Sequence, residues 1–289
     1  MKHPSEPTHD PNFPAWLDIQ PLHLADTASA EGADAHAQAD AIGRYGIAGR
    51  VWEASGPLVS YLTPTPPGSK EVFDPPCSLF RDEGPHRVIE LGSGQALASL
   101  HLAARLNPED TVVLTDLPNV MPLCQSSIDT WSTSGEGKDG GACVFARPFA
   151  WGDKAELDEF RPFTHILMCD LVYFPHLYPP LLRTLLEVTE PEVDEMPPTD
   201  VFGPEIILAW KSRSLGLEES FFDSFARYFR MEPVMGVTGD AKLFLCRRWR
   251  VTEEWRLPES SRVMNGAPGV VVGRSFGLAE SLFAEMEWD

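Results

Sequence analysis

Three acids in this chain stand where an apolar run stops: Glu90 in VIELGSGQAL, Asp116 in VLTDLP and Asp170 in MCDLVYFP. A carboxylate in such a place can accept hydrogen bonds from hydroxyls or hold a cation. Each acid has a neighbour that narrows the choice. After Glu90 come Gly92 and Gly94, which permit a tight turn and a close approach of backbone to a ligand. Asp116 falls 22 positions after Gly94, where an acid can take both hydroxyls of a ribose. Tyr173 follows Asp170, bringing an anion and an aromatic ring to one place.

The elements that must position these residues alternate regularly. Apolar runs at 87–91, 111–116, 142–149, 164–170, 205–211 and 242–249 are separated by stretches of helical period at 95–106, 118–131, 176–189 and 216–229. Nearly continuous apolar strands alternating with helices imply a mostly parallel sheet covered on both faces, an α/β doubly wound domain. No helix-length stretch separates RMEPV from AKLFLCRR, so the last of about seven strands is expected to run antiparallel beside the fifth. Ligands of such sheets bind beyond the carboxyl ends of the strands, and all three acids fall there.

The glycine turn departs from a dinucleotide fingerprint, G-x-G-x-x-G, because the third glycine would be Leu97. Glu90 also suits a cationic amino acid better than a diphosphate. These positions describe a nucleoside without phosphates that carries a positively charged amino-acid portion. S-adenosylmethionine has that composition. Plain structural roles stay open here: an ordinary β–α turn, and helix N-caps at Asp116 and Asp170.

Taken together, these motifs resemble those of the seven-β-strand family-16 protein methyltransferases over roughly residues 48–250. GRVWEASGPLVSYL is similar to the family's Val-Trp-Asp segment, with Glu53 where aspartate is usual. VIELGSGQA resembles E-L-G-x-G-x-G, with Ala96 where the family has glycine; FAWGD resembles Leu-x-Trp-Gly, and CDLVYF resembles Asp-x-x-Tyr. The resemblance implies a Rossmann-like sheet and S-adenosylmethionine as cofactor. It implies a cofactor site of Trp52, Glu90, Gly92, Gly94, Asp116, Trp151 and Cys169, with no metal. It further implies catalytic roles for Asp170, as anchor of an incoming lysine ammonium, and Tyr173, as a neighbouring wall or hydroxyl. The activity so implied is methylation of a protein lysine. Histidine, a small molecule, or an inactive interaction module are the alternatives.

Bulk properties set the remaining bounds. The net charge of −20 argues against binding nucleic acid through its phosphates; it serves solubility alone or favours a basic partner, such as a lysine-rich protein surface. No apolar run is long enough to span a membrane, and residues 1–14 lack a signal core. Five scattered cysteines read as reduced thiols, which points to the cytoplasm, with the nucleus open. Residues 1–41 form an acidic, Ala-rich segment expected to be loosely attached; 42–250 form the domain, expected to be monomeric; and 251–289 form a C-terminal extension.

Overall fold

The computed structural model describes residues 19–22, 35–82, 84–134, 136–154, 156–190 and 199–271. The apolar runs form β1 (Arg87–Leu91), β2 (Thr111–Asp116), β3 (Cys143–Pro148), β4 (His165–Cys169), β5 (Val201–Lys211), β6 (Phe229–Pro233) and β7 (Ala241–Trp249). They make one seven-stranded sheet in the order β3-β2-β1-β4-β5-β7-β6. The pairs among β1 to β5 are parallel, and β7 lies antiparallel between β5 and β6. The chain runs outward from β1 through β2 and β3, then returns to the other side of β1 with β4 and β5. That reversal opens a crevice at the carboxyl ends of β1 and β4.

Alternation within the strands feeds two cores, one on each face. Ile89, Leu91, Ile166, Met168, Leu208 and Trp210 face α5 (Tyr178–Val188) and α6 (Leu215–Ala226). Val88, Val112, Leu114, Leu167 and Ile207 face α2 (Ser55–Tyr61), α3 (Leu97–Ala103) and α4 (Met121–Ser134). Two covered faces explain the unbroken apolar runs of the inner strands, whose positions are nearly all buried, whereas the outer strands β3 and β6 leave residues exposed. Each large side chain fully buried in this way contributes about 1.5–3 kcal/mol.

Both ends of the domain reach further than the sequence suggests. Helix α1 (Ala35–Tyr45) crosses the division expected at 41/42. Its Gln38 is buried; the side-chain oxygen accepts the Leu22 N–H at 2.8 Å and the Val51 N–H at 3.2 Å. Residues 19–22 are thereby tied to the domain. The rest of the first 34 residues, residues 191–198 of the acidic loop, and 272–289 lie outside the described residues. Beyond β7, Val251, Trp255 and Val263 join the core on the α5 and α6 face, so the domain continues past residue 250. Among the described residues, no helix is long and apolar enough to cross a membrane.

Candidate active site

After β1 the backbone turns through Gly92 and Gly94, at φ +61° and +49°. A Cβ on Gly92 would lie 2.8 Å from a Leu171 methyl and 3.1 Å from the Trp151 ring, and one on Gly94 would lie 2.7 Å from the Ala48 carbonyl oxygen. Only bare backbone fits this cradle. The Asp116 carboxylate, at the end of β2, accepts the Gly94 N–H and the Leu117 N–H, each at 2.8 Å. Asp116 therefore bridges two strand ends and is not the cap of α4, which begins at Met121. Burial raises its pKa against the lowering effect of those two N–H groups.

Glu90 lies beneath the turn and is 3% exposed. Its backbone carbonyl accepts the Thr115 hydroxyl at 2.6 Å, while its carboxylate oxygen Oε2 is buried with no hydrogen-bond partner. Burial, with a further contribution from the Asp116 charge, outweighs the nearby Ser99 and Ser93 hydroxyls and pushes the Glu90 pKa up to about 7. A buried carboxylate oxygen without a donor is costly, a cost that a proton or a cation beside it relieves.

Asp170 follows the last residue of β4 with φ +57°, a left-handed backbone that a non-glycine residue rarely adopts. Its side chain is wholly enclosed. Oδ1 accepts the Lys211 N–H at 2.8 Å and Oδ2 accepts the Ala54 N–H at 3.1 Å. Arg213 grips both oxygens, at 3.2 and 3.0 Å. Asp170 borders the same crevice, but its charge is matched and its lone pairs are taken. The free counterion expected for an incoming ammonium is not what this carboxylate presents; it joins the ends of β4 and β5 to the segment before α2.

That segment, 46–55, forms a strap across the carboxyl edge of the sheet. Gln95 donates its side-chain amide to the Gly49 carbonyl, and the Ser55 hydroxyl lies 3.3 Å from the Cys169 sulfur. Arg50 forks onto Glu53 at 3.2 and 3.0 Å, and Arg213 reaches the same carboxylate at 3.1 Å. Burial favours the protonated form of Glu53, but the Arg50 hydrogen bonds, with both guanidinium charges, hold its pKa down at about 2. Trp52 carries the Arg50 and Arg213 guanidinium groups 4.4 and 4.8 Å from its ring centroid. It also lies nearly parallel to Tyr173, at 9° and 6.5 Å between centroids. Burial pushes the Tyr173 phenol well above its usual pKa, so it is protonated at neutral pH. The Cys169 thiol is raised for the same reason, which disfavours its thiolate.

Trp52, Glu90, Gly92, Gly94, Asp116, Trp151, Cys169, Asp170 and Tyr173 all line one cavity of about 290 Å³. Sequence reasoning missed Arg213 and Arg50. The available signal was a basic residue just beyond the end of β5, at the edge where the three acids also lie.

A model of a family described as lysine methyltransferase matches residues 34–227. The protein-lysine N-methyltransferase EFM6 of Saccharomyces cerevisiae is 26% identical over 209 residues, covering 65% of this chain and 72% of that protein. The protein N-lysine methyltransferase METTL21A of Xenopus tropicalis is 29% identical over 148 residues, 50% of this chain and 56% of that one. The calmodulin-lysine N-methyltransferase of Arabidopsis thaliana is 31% identical over 99 residues, 34% of this chain and 31% of that one. The chain thus spans less than two thirds of the last two relatives.

Proposed function

The chain belongs to the lysine methyltransferase family, and from that premise we propose that it moves the methyl group of S-adenosylmethionine onto the side-chain amine of a lysine in a protein. What carries the reading is the union of a bare-backbone turn, a ribose-type acid and an orphaned buried carboxylate in one cavity. These residues fit a nucleoside with a cationic amino-acid end. S-adenosylmethionine supplies, when bound, a methyl carbon made electrophilic by its sulfonium.

The remaining work falls to the protein. The Gly92–Gly94 backbone admits the cofactor closely, and Asp116 keeps acceptor capacity for ribose hydroxyls beyond its two N–H bonds. Glu90 meets the cationic end, and Trp151 flanks the base. The Trp52 and Tyr173 rings attract cationic groups at about 0.5–2 kcal/mol each. Their apolar faces also disfavour the charged form of the lysine amine, so its proton departs to solvent before attack. The neutral Tyr173 hydroxyl can accept an amine N–H and so aim the lone pair in line with the methyl carbon. Holding two reactants collinear is the main source of rate in such a displacement. Asp170 acts by fixing this wall. The free cysteines suit a reducing compartment, cytoplasm or nucleus.

Calorimetric titration with S-adenosylmethionine tests the cofactor site. Asp116→Ala removes the ribose bonds and is expected to weaken binding by roughly 1.5–3 kcal/mol, a factor of about 10 to 150. Unchanged affinity in a variant that melts like wild type rejects the assignment.

A further inference from the structure

We propose that Arg213 is a positioning residue for methyl transfer, pinning the strap to the ends of β4 and β5 and so fixing the Trp52–Tyr173 wall. The proposal rests on the methyltransferase reading above. Three segments distant in sequence meet at this one guanidinium. Nη2 donates to Asp170 Oδ2 at 3.0 Å and to Glu53 Oε2 at 3.1 Å; Nη1 donates to Asp170 Oδ1 at 3.2 Å and to the Lys211 carbonyl at 3.0 Å. The same group covers the Trp52 ring at 4.8 Å, and Trp52 in turn lies parallel to Tyr173. Displacing Arg213 therefore removes the tie from Glu53 to the sheet and, with it, one of the two guanidinium groups on the Trp52 ring, leaving Arg50, which belongs to the strap itself.

The two arginines of this cluster do not share the load equally. Glu53 also holds Arg50, whereas Arg213 is the cation paired with the wholly enclosed Asp170 carboxylate. The left-handed backbone at Asp170 lies at the same contacts, and Tyr173 comes three residues later in the chain. Arg213 touches neither reacting atom in this scheme. It acts through Trp52 and Tyr173. A lysine at 213 keeps one charge, but a compact ammonium can neither fork onto Asp170 nor cover the indole while reaching Glu53.

The test compares wild type, Arg213→Lys, Arg213→Gln and Glu53→Gln, each measured for transfer of labelled methyl from S-adenosylmethionine to the protein fraction of a cell lysate. Apparent kcat and cofactor KM are determined separately, with thermal melts and amide exchange at Ala54 and Lys211. Arg213→Lys is expected to fold and to lose about tenfold or more in kcat, with cofactor KM changed by less than about threefold. The Ala54 amide is expected to exchange faster. Arg213→Gln, which also strands the Asp170 charge, is expected to lose about 10²-fold, the scale of misplaced reactants. In the Glu53→Gln background, Arg213→Lys is expected to cost less than in wild type, because the strap is already released. A kcat for Arg213→Lys within threefold of wild type overturns the proposal. So does a loss of cofactor affinity and kcat in equal measure with a fall in Tm, which assigns Arg213 to stability alone. Failure of the wild-type protein to bind S-adenosylmethionine or transfer label overturns the methyltransferase reading itself.

Discussion

Glu90 and Asp170 border one cavity, and their surroundings treat them in opposite ways. Asp170 has two backbone N–H groups and a forked arginine, so an amide at 170 would turn an N–H toward a donor. Asp170→Asn is for that reason not a change of charge alone. Glu90 has an oxygen with no donor and a pKa raised by burial from 4.5 to about 7. The sign follows from the proton count. Between those values the folded chain holds the proton that the unfolded chain has lost, so the contribution of Glu90 to stability is full below about pH 4.5 and is lost as pH rises through 7. Glu90→Gln removes that dependence. The cofactor-free variant is expected to match wild type near pH 5 and to exceed it at pH 8 by roughly 2–3 kcal/mol, several degrees in Tm. Its affinity for S-adenosylmethionine is expected to fall at the same time. Parallel pH profiles of Tm for the two proteins would refute the raised Glu90.

At the scale of elements, the turn between β1 and α3 carries a small contradiction. Ala96 sits at φ +58°, where glycine is the usual residue, yet it is buried and its methyl packs into the core. Relief of the left-handed strain by glycine gains about 1–2 kcal/mol. Against that stand about 0.4–1 kcal/mol of unfolded-chain entropy and about 0.8 kcal/mol for the lost methyl burial. Ala96→Gly is therefore expected to leave the denaturation midpoint nearly unchanged; a shift worth more than about 2 kcal/mol would show that one of the three effects is misjudged. The sheet was legible in the sequence because apolar continuity and strand–helix alternation are local signals. So were the strand-end acids, since position at the carboxyl edge follows from the sheet. The partners of Asp170 were not. Ala54 lies 116 positions from it and Arg213 lies 43, and Glu53 meets Arg213 across 160. No local pattern reports that those three ends converge, nor that convergence leaves Glu90, not Asp170, with the open oxygen.

At the scale of the whole molecule, the charge of −20 frames the choice of substrate. A net charge of this sign attracts basic surfaces, and salt screens that attraction over a Debye length of about 10 Å at 0.1 M. The lysine that enters the cavity is thus expected to come from a basic region of its protein. To find where the methyl goes, wild-type and Asp116→Ala protein are incubated with isotope-labelled S-adenosylmethionine and cell lysate, and mass spectrometry locates the labelled methyl. Label is expected on lysine Nζ, formed by the wild type, much reduced in the variant and diminished as salt is raised. Label on histidine or on a small molecule, or none above the enzyme-free control, would contradict it.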